Sequence, residues 1–420
     1  MSILSQFPGG GGTTVTFSSF YTEEPLTQRF PQILSQGRQA LAGASVGGYA
    51  LFAGGGEGSS KVEAVDAYNA ALTRNTPTAL SWSRSGLAGA SAGNYALFAG
   101  GGGYNGGSSA YLATVDAYSV ALTRTTPTVL SRGRAYLAGA SVGGYALFAG
   151  GHDGSSNRAE VDAYNAALTR TTPTGLWIAR AHLAGASVGS YALFAGGENS
   201  QSTTLTYSTV DTYDSSLTRI TTTMNLSQER GYLKGASVGN YALFAGGGDA
   251  NGSTHYATVD AYNSALTRST PTALSRARRD LAGASGGSYA LFAGGYYNEM
   301  NGSGDRYAGV VDAYNAALQR TTPAELSQAR HGLAGASAGN YVIFAGGFGY
   351  DNAGGNSALD TADAYTGDYS YSVLLPANTA YRFGGAAQET VTASDVTLTG
   401  TGKLNGYCRL QGNITLTGKH

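Results

Sequence analysis

The chain has 420 residues, 25 Lys and Arg against 26 Asp and Glu, and a formal net charge of −1. A nucleic-acid binder needs a basic surface that releases counterions, so that class is excluded. Cys408 is the one cysteine, so no intrachain disulfide forms and a disulfide-stapled module is excluded.

In chain order, MSILSQFPGGGGTTV has neither a basic n-region nor a long apolar run, and it reads as no signal peptide. No segment reaches the roughly 18 apolar residues of a membrane span. The expectation is a protein made in the cytosol without membrane insertion. Residues 1–25 read as a flexible Gly/Thr/Ser-rich lead.

LAGASVGGYALFAGG, residues 41–55, returns in close variants at Leu87, Leu137, Leu183, Leu233, Leu281 and Leu333. The spacings are 46, 50, 46, 50, 48 and 52 residues, a period that fits propeller blades. Within one copy, LAGAS is a strand of small residues suited to a crowded inner edge. Gly47-Gly48 forms a primed turn, and YALFA is a second strand covered on both faces. VDAY, Val65 to Tyr68, is the third strand. LTRNTPTAL is the fourth, and its Pro77 assigns it to the outer edge.

The seventh copy ends at Tyr365 with no fourth strand, whereas residues 26–35, LTQRFPQILS, match that strand ahead of the first copy. The N-terminal segment is expected to close the last blade. The reading is an all-β, seven-bladed propeller over residues 26–365. In the tail, 366–420, Leu398, Leu404, Leu410 and Leu416 recur every six residues, which suggests a β-solenoid rung or intertwined prism. That tail is expected to attach the protein to another structural protein or to form a homotrimer.

Two places vary between copies. One is the loop after the double glycine: 56–64, 102–114, 152–160, 198–209, 248–258, 296–310 and 348–361. The other is the pair after each repeated arginine, Arg38, Arg84, Arg134, Arg180, Arg230, Arg278 and Arg330. Loops alternate between faces in an up-and-down blade, so both variable places fall on one face. Roughly half of the loop residues are Gly, Ser, Asn or Tyr, a composition resembling antibody paratopes. The candidate binding face comprises Tyr104, Tyr111, Tyr136, His182, Tyr207, Tyr232, Tyr256, Arg279, Asp280, Tyr296, Tyr297, Asn298, Tyr307, His331, Tyr350 and Asp351. The repeated arginines and Asp66, Asp116, Asp162, Asp211, Asp260, Asp312 and Asp363 read as structural.

His152, His182, His255 and His331 also lie in the variable places. They come from different blades and read as exposed polar residues, not metal ligands. Residues 248–253 and 349–356 offer a weak calcium signal. No nucleophile motif, phosphate loop or paired-carboxylate site stands out, so no catalytic residue, metal or cofactor is expected.

The repeated Arg, the small-residue strand, the double glycine and the third-strand Tyr resemble the kelch repeat. The kelch tryptophan is absent, with Leu72, Leu122, Leu168, Leu217, Leu266 and Leu318 near its place. The acidic residue precedes the tyrosine by two positions instead of following it. The whole layout, with the PGGGG start and short β tail, is similar to kelch-like proteins of phage and prophage structural modules. That resemblance implies a virion-associated tail protein or adhesin that binds a bacterial surface glycan or protein. Two other readings are an intracellular kelch-type interaction scaffold and a sugar-active propeller enzyme.

Overall fold

The protein is described from a computed structural model. It covers residues 19–23, 26–105, 108–199, 205–298, 305–350 and 355–366, and the tail strands between Tyr369–Leu374 and Asn413–Lys419. The chain divides into two compact units, residues 27–366 and the two ends, 1–26 with 367–420.

The larger unit is all-β and β-propeller-like. Its described residues form seven four-stranded antiparallel sheets, numbered 1 to 7 in the order of their first strands. Sheet 1 comprises Ala42–Val46, Tyr49–Ala53, Val65–Tyr68 and Arg74–Asn75. Sheet 7 takes Ala334–Ala338, Tyr341–Ala345 and Ala362–Thr366 from late in the chain, and Thr27–Arg29 from its start.

Small residues set the spacing between sheets. A Cβ on Gly89 would lie 2.3 Å from the carbonyl oxygen of Gly43, and one on Gly139 2.2 Å from that of Gly89. The same approach recurs at Gly185, Gly235, Gly283 and Gly335, and Gly43 meets Gly335. First strands can pack this closely only without side chains. Behind them the second strand is fully apolar. Phe52 meets the Tyr68 ring edge-on at 5.9 Å, and the equivalent pair recurs in every sheet.

Each repeated arginine is fully buried and ion-paired with the third-strand aspartate of its own sheet at 2.7–2.9 Å. Its guanidinium also donates to the carbonyl of the second-strand Phe at 3.0–3.3 Å. The aspartate accepts in turn from a serine that precedes the arginine, as Asp162 does from Ser131. In sheet 4 Trp177 takes that serine's place and offers only its backbone N–H to Asp211. These fourteen charges tie the connection between sheets to the next sheet.

In the smaller unit Ser19–Glu23 pairs with Tyr369–Leu374, so the lead expected to be flexible carries a strand at 19–23. Ser394–Thr401 joins Tyr369–Leu374 to Asn413–Lys419. The hexad leucines pair antiparallel, Leu398 with Leu416 and Leu404 with Leu410 in Cα register. They do not stack as parallel solenoid rungs. A nested hairpin closes with short local loops, while parallel strands need a long crossover. Cys408 lies outside the described residues.

Candidate functional site

The two variable places meet in every sheet. The first residue of each pair bridges the residue after the double glycine: Gln39 with Gly56, Ser85 with Gly102, Ala135 with His152 and Ala181 with Glu198. Gly231 with Gly248, Arg279 with Tyr296 and His331 with Phe348 complete the set. The variable positions therefore share one surface.

The second residue of each pair forms a cycle. Gly86 N–H donates to Ala40 C=O, Tyr136 to Gly86, His182 to Tyr136, Tyr232 to His182, Asp280 to Tyr232, Gly332 to Asp280 and Ala40 to Gly332, all at 2.8–3.3 Å. Every residue in the cycle has φ between 52° and 64°. That conformation favours glycine, yet Tyr136, His182, Tyr232 and Asp280 adopt it. Backbone strain carried at four bulky or charged positions, where the fold accepts Gly or Ala, points to a use for those side chains.

Their chemistry is lopsided. Sheets 1 and 2 contribute Ala40 and Gly86 to the cycle, flanked by Gln39, Gly56, Ser85 and Gly102. Sheets 3 to 6 contribute the middle of a wall, joined at its ends by Tyr111 of sheet 2 and by His331 and Tyr350 of sheet 7. The Tyr136 ring lies across Gly86, where a Cβ would meet it at 3.0 Å, and stacks on His182 with centroids 4.4 Å apart. His182 packs on Tyr232 at 4.2 Å, and the Arg279 guanidinium sits 5.2 Å from the Tyr232 ring. The wall continues from Arg279 to Tyr296 at 5.8 Å, then from Tyr296 to His331 at 5.3 Å. Tyr307 stacks on His331 at 5.5 Å, and Tyr350 meets Tyr307 edge-on at 5.0 Å. At the other end Tyr111 meets His152 edge-on at 5.6 Å.

Glu198 lies behind this wall, 5% exposed. It accepts the Tyr232 O–H at 2.8 Å, and His182 Nε2 stands 3.6 Å from the same carboxylate oxygen. Burial pushes the Glu198 carboxyl up, and the Tyr232 hydrogen bond and Arg279 work against that shift. Burial, with Lys234, Arg279 and His152 nearby, lowers His182 to about 3, so the imidazole is neutral at physiological pH. The centre of the face is thus an uncharged Tyr–His–Tyr stack bordered by Arg279 and Asp280.

The expected site residues separate into three groups. Tyr111, Tyr136, His182, Tyr232, Arg279, Tyr296, Tyr307, His331 and Tyr350 join the wall, with Asp280 in the cycle. Tyr104, Tyr297 and Asn298 serve the loops. The Tyr104 hydroxyl donates to Ser59 C=O at 2.9 Å, Tyr297 lies under the Arg276 guanidinium at 4.2 Å, and Asn298 donates to Ser253 C=O at 3.0 Å. Tyr207 and Tyr256 occupy framework positions that Leu112 and Leu359 fill elsewhere. Each is half-buried, its N–H bound to the second glycine of the double glycine and its carbonyl to the repeated arginine. Asp351 lies outside the described residues.

The histidines are not exposed polar residues: His152, His182 and His331 pack against aromatic rings. Among the described residues no group of three His, Cys, Asp or Glu could hold a metal ion. The Asp249 carboxylate is taken up by its own loop, accepting from Thr254 N–H and the Ser253 hydroxyl. Sequence reasoning passed over Glu198 and Lys234. Lys234 stands where Ala42, Ala88, Ala138, Ala184, Ala282 and Ala334 stand in the other copies, and that departure was the available signal.

No family model matches the chain, and no curated protein matches it. Among solved structures it is similar to one described as "Structure of YjhT", with 12% sequence identity and a TM-score of 0.51. The match covers 82% of this chain and 96% of that one. At this identity the likeness concerns the fold alone.

Proposed function

We propose that the chain is a seven-bladed, kelch-like β-propeller, closed by its N-terminal outer strand, and that it is a non-enzymatic recognition protein. It binds a bacterial surface glycan through the variable face and acts as a virion-associated adhesin. One observation carries the reading: the Tyr136–His182–Tyr232 stack, held in left-handed backbone where other copies have Ala or Gly. Aromatic faces accept the apolar C–H faces of a sugar, and Arg279, Asp280 and the tyrosine hydroxyls can hydrogen-bond its hydroxyl groups.

The test is binding of labelled protein to bacterial cells and a glycan panel, beside Tyr136→Ala and Tyr232→Ala. Alanine is the native residue at position 40 of the cycle, so both variants should fold. Selective glycan binding by the wild type, weakened roughly tenfold or more in each variant, is expected for aromatic anchors. Glycan binding indifferent to both substitutions would overturn the assignment.

A second reading, a sugar-active enzyme, is favoured by the buried Glu198 carboxyl beside Tyr232 and His182, since perturbed acids gather at reactive sites. NMR of a bound glycan over hours separates the two: the recognition reading expects it unchanged.

A further inference from the structure

We propose that the variable face contains an anion subsite built on Lys234, and that the glycan it takes carries a carboxylate. This deepens the recognition reading and rests on it. Lys234 opens the first strand of sheet 5, Lys234–Val238, two residues after Tyr232. The alanines at this position in the other six sheets are buried, at 2–6% exposure, whereas Lys234 is exposed. Six copies show that the fold asks only for a small apolar residue here, so the lysine answers to something other than packing.

Its surroundings leave its charge uncompensated. Lys234 makes no hydrogen bond or ion pair with the described residues. Burial among its neighbours lowers the Lys234 pKa, Asp280 works against that shift, and the Asp280 carboxylate lies 3.7 Å from Arg279 Nε. Glu198, the other carboxyl of this region, is bound to the Tyr232 hydroxyl. Lys234 opens its strand two residues after Tyr232, the ring on which His182 of the neighbouring sheet packs at 4.2 Å, so it stands at the edge of the aromatic stack. A cation beside a neutral stacking surface, partly desolvated and lacking a counter-ion, suits a sugar that brings its own negative charge. A carboxylate fits better than a phosphate dianion, because Asp280 would repel the second charge.

The test compares calorimetric binding of a glucuronate-terminated oligosaccharide and its glucose-terminated counterpart to the wild type, Lys234→Ala and Lys234→Arg. Lys234→Ala restores the residue of the other six copies, and an unchanged unfolding midpoint will show that it folds. The wild type should prefer the acidic sugar by roughly tenfold to a hundredfold, the scale of one charge-assisted contact. Lys234→Ala should erase that preference while keeping neutral-sugar binding, and Lys234→Arg should keep most of it. Equal binding of both sugars by the wild type, or a preference that survives Lys234→Ala, overturns the subsite and leaves the recognition reading standing. If neither sugar binds and no other panel glycan does, both fall.

Discussion

At the residue scale the face depends on groups kept neutral or paired by burial. His182 is the sharpest case, with its pKa lowered from 6.5 to about 3. The unfolded chain takes up a proton as pH falls through 6.5, while the folded chain refuses it until about 3. The stability this histidine contributes is therefore complete above 6.5 and is lost progressively as pH falls toward 3. His182→Phe keeps a ring between Tyr136 and Tyr232 and removes the proton. Any packing or left-handed backbone cost of the phenylalanine is constant with pH. In urea unfolding between pH 7 and pH 4, the wild type should lose stability relative to the variant by up to about 1.4 kcal/mol per pH unit. A difference that does not change with pH would mean that His182 is not desolvated by its neighbours.

At the element scale the seam in sheet 7 differs from the other sheets. In each of those a fourth-strand arginine pairs in register with the third-strand tyrosine, as Arg74 does with Tyr68. In sheet 7 that place belongs to Gln28, opposite Tyr365. Its amide donates to Asp363 at 2.9 Å, to Glu325 C=O at 2.8 Å and to the Tyr365 hydroxyl at 3.2 Å. No peptide turn joins this strand to its neighbour, so side-chain bonds hold more of the pairing. Gln28→Ala should cost about 1–3 kcal/mol in urea unfolding, because Asp363 loses a donor. It should also speed amide exchange in 362–366 before any other third strand. Unaltered exchange there would mean that the backbone ladder alone holds the strand. This pairing could be read in the sequence, because residues 26–35 repeat the fourth-strand pattern. The order of strands within each copy was equally open, since LAGAS, YALFA and VDAY differ in residue size and recur intact. The backbone cycle could not be read, because its members are Ala, Gly, Tyr, His and Asp and share no side-chain signature. Glu198 looked like one loop residue among many until its bridge to Ala181 set it behind Tyr232.

At the scale of the whole molecule, repetition and asymmetry answer to different demands. The scaffold repeats because one sheet-to-sheet step is made again and again: glycine on carbonyl, arginine on aspartate, N–H to the preceding C=O. The site is asymmetric because the side chains of the cycle and of its bridged neighbours take no part in those duties, and Tyr136 to Asp280 fill one arc while Ala40, Gly86 and Gly332 leave the other open. If each step is geometrically fixed, the number of copies is fixed with it. Excising residues 134–179 joins Gly133 to Arg180 in repeat register and leaves six copies. The step from Gly89 to the next first strand is then still made, but a six-membered cycle requires every step to turn further than close-packed glycine strands allow. The excised chain is expected to lose its cooperative unfolding transition and to run as oligomers by light scattering, as open repeat ends find one another. A monomer with a single sharp transition and slow exchange at the amides of Ala40 and Gly332 would show instead that the cycle adapts to six members. The count would then be set by how many copies the chain carries and not by the packing between them.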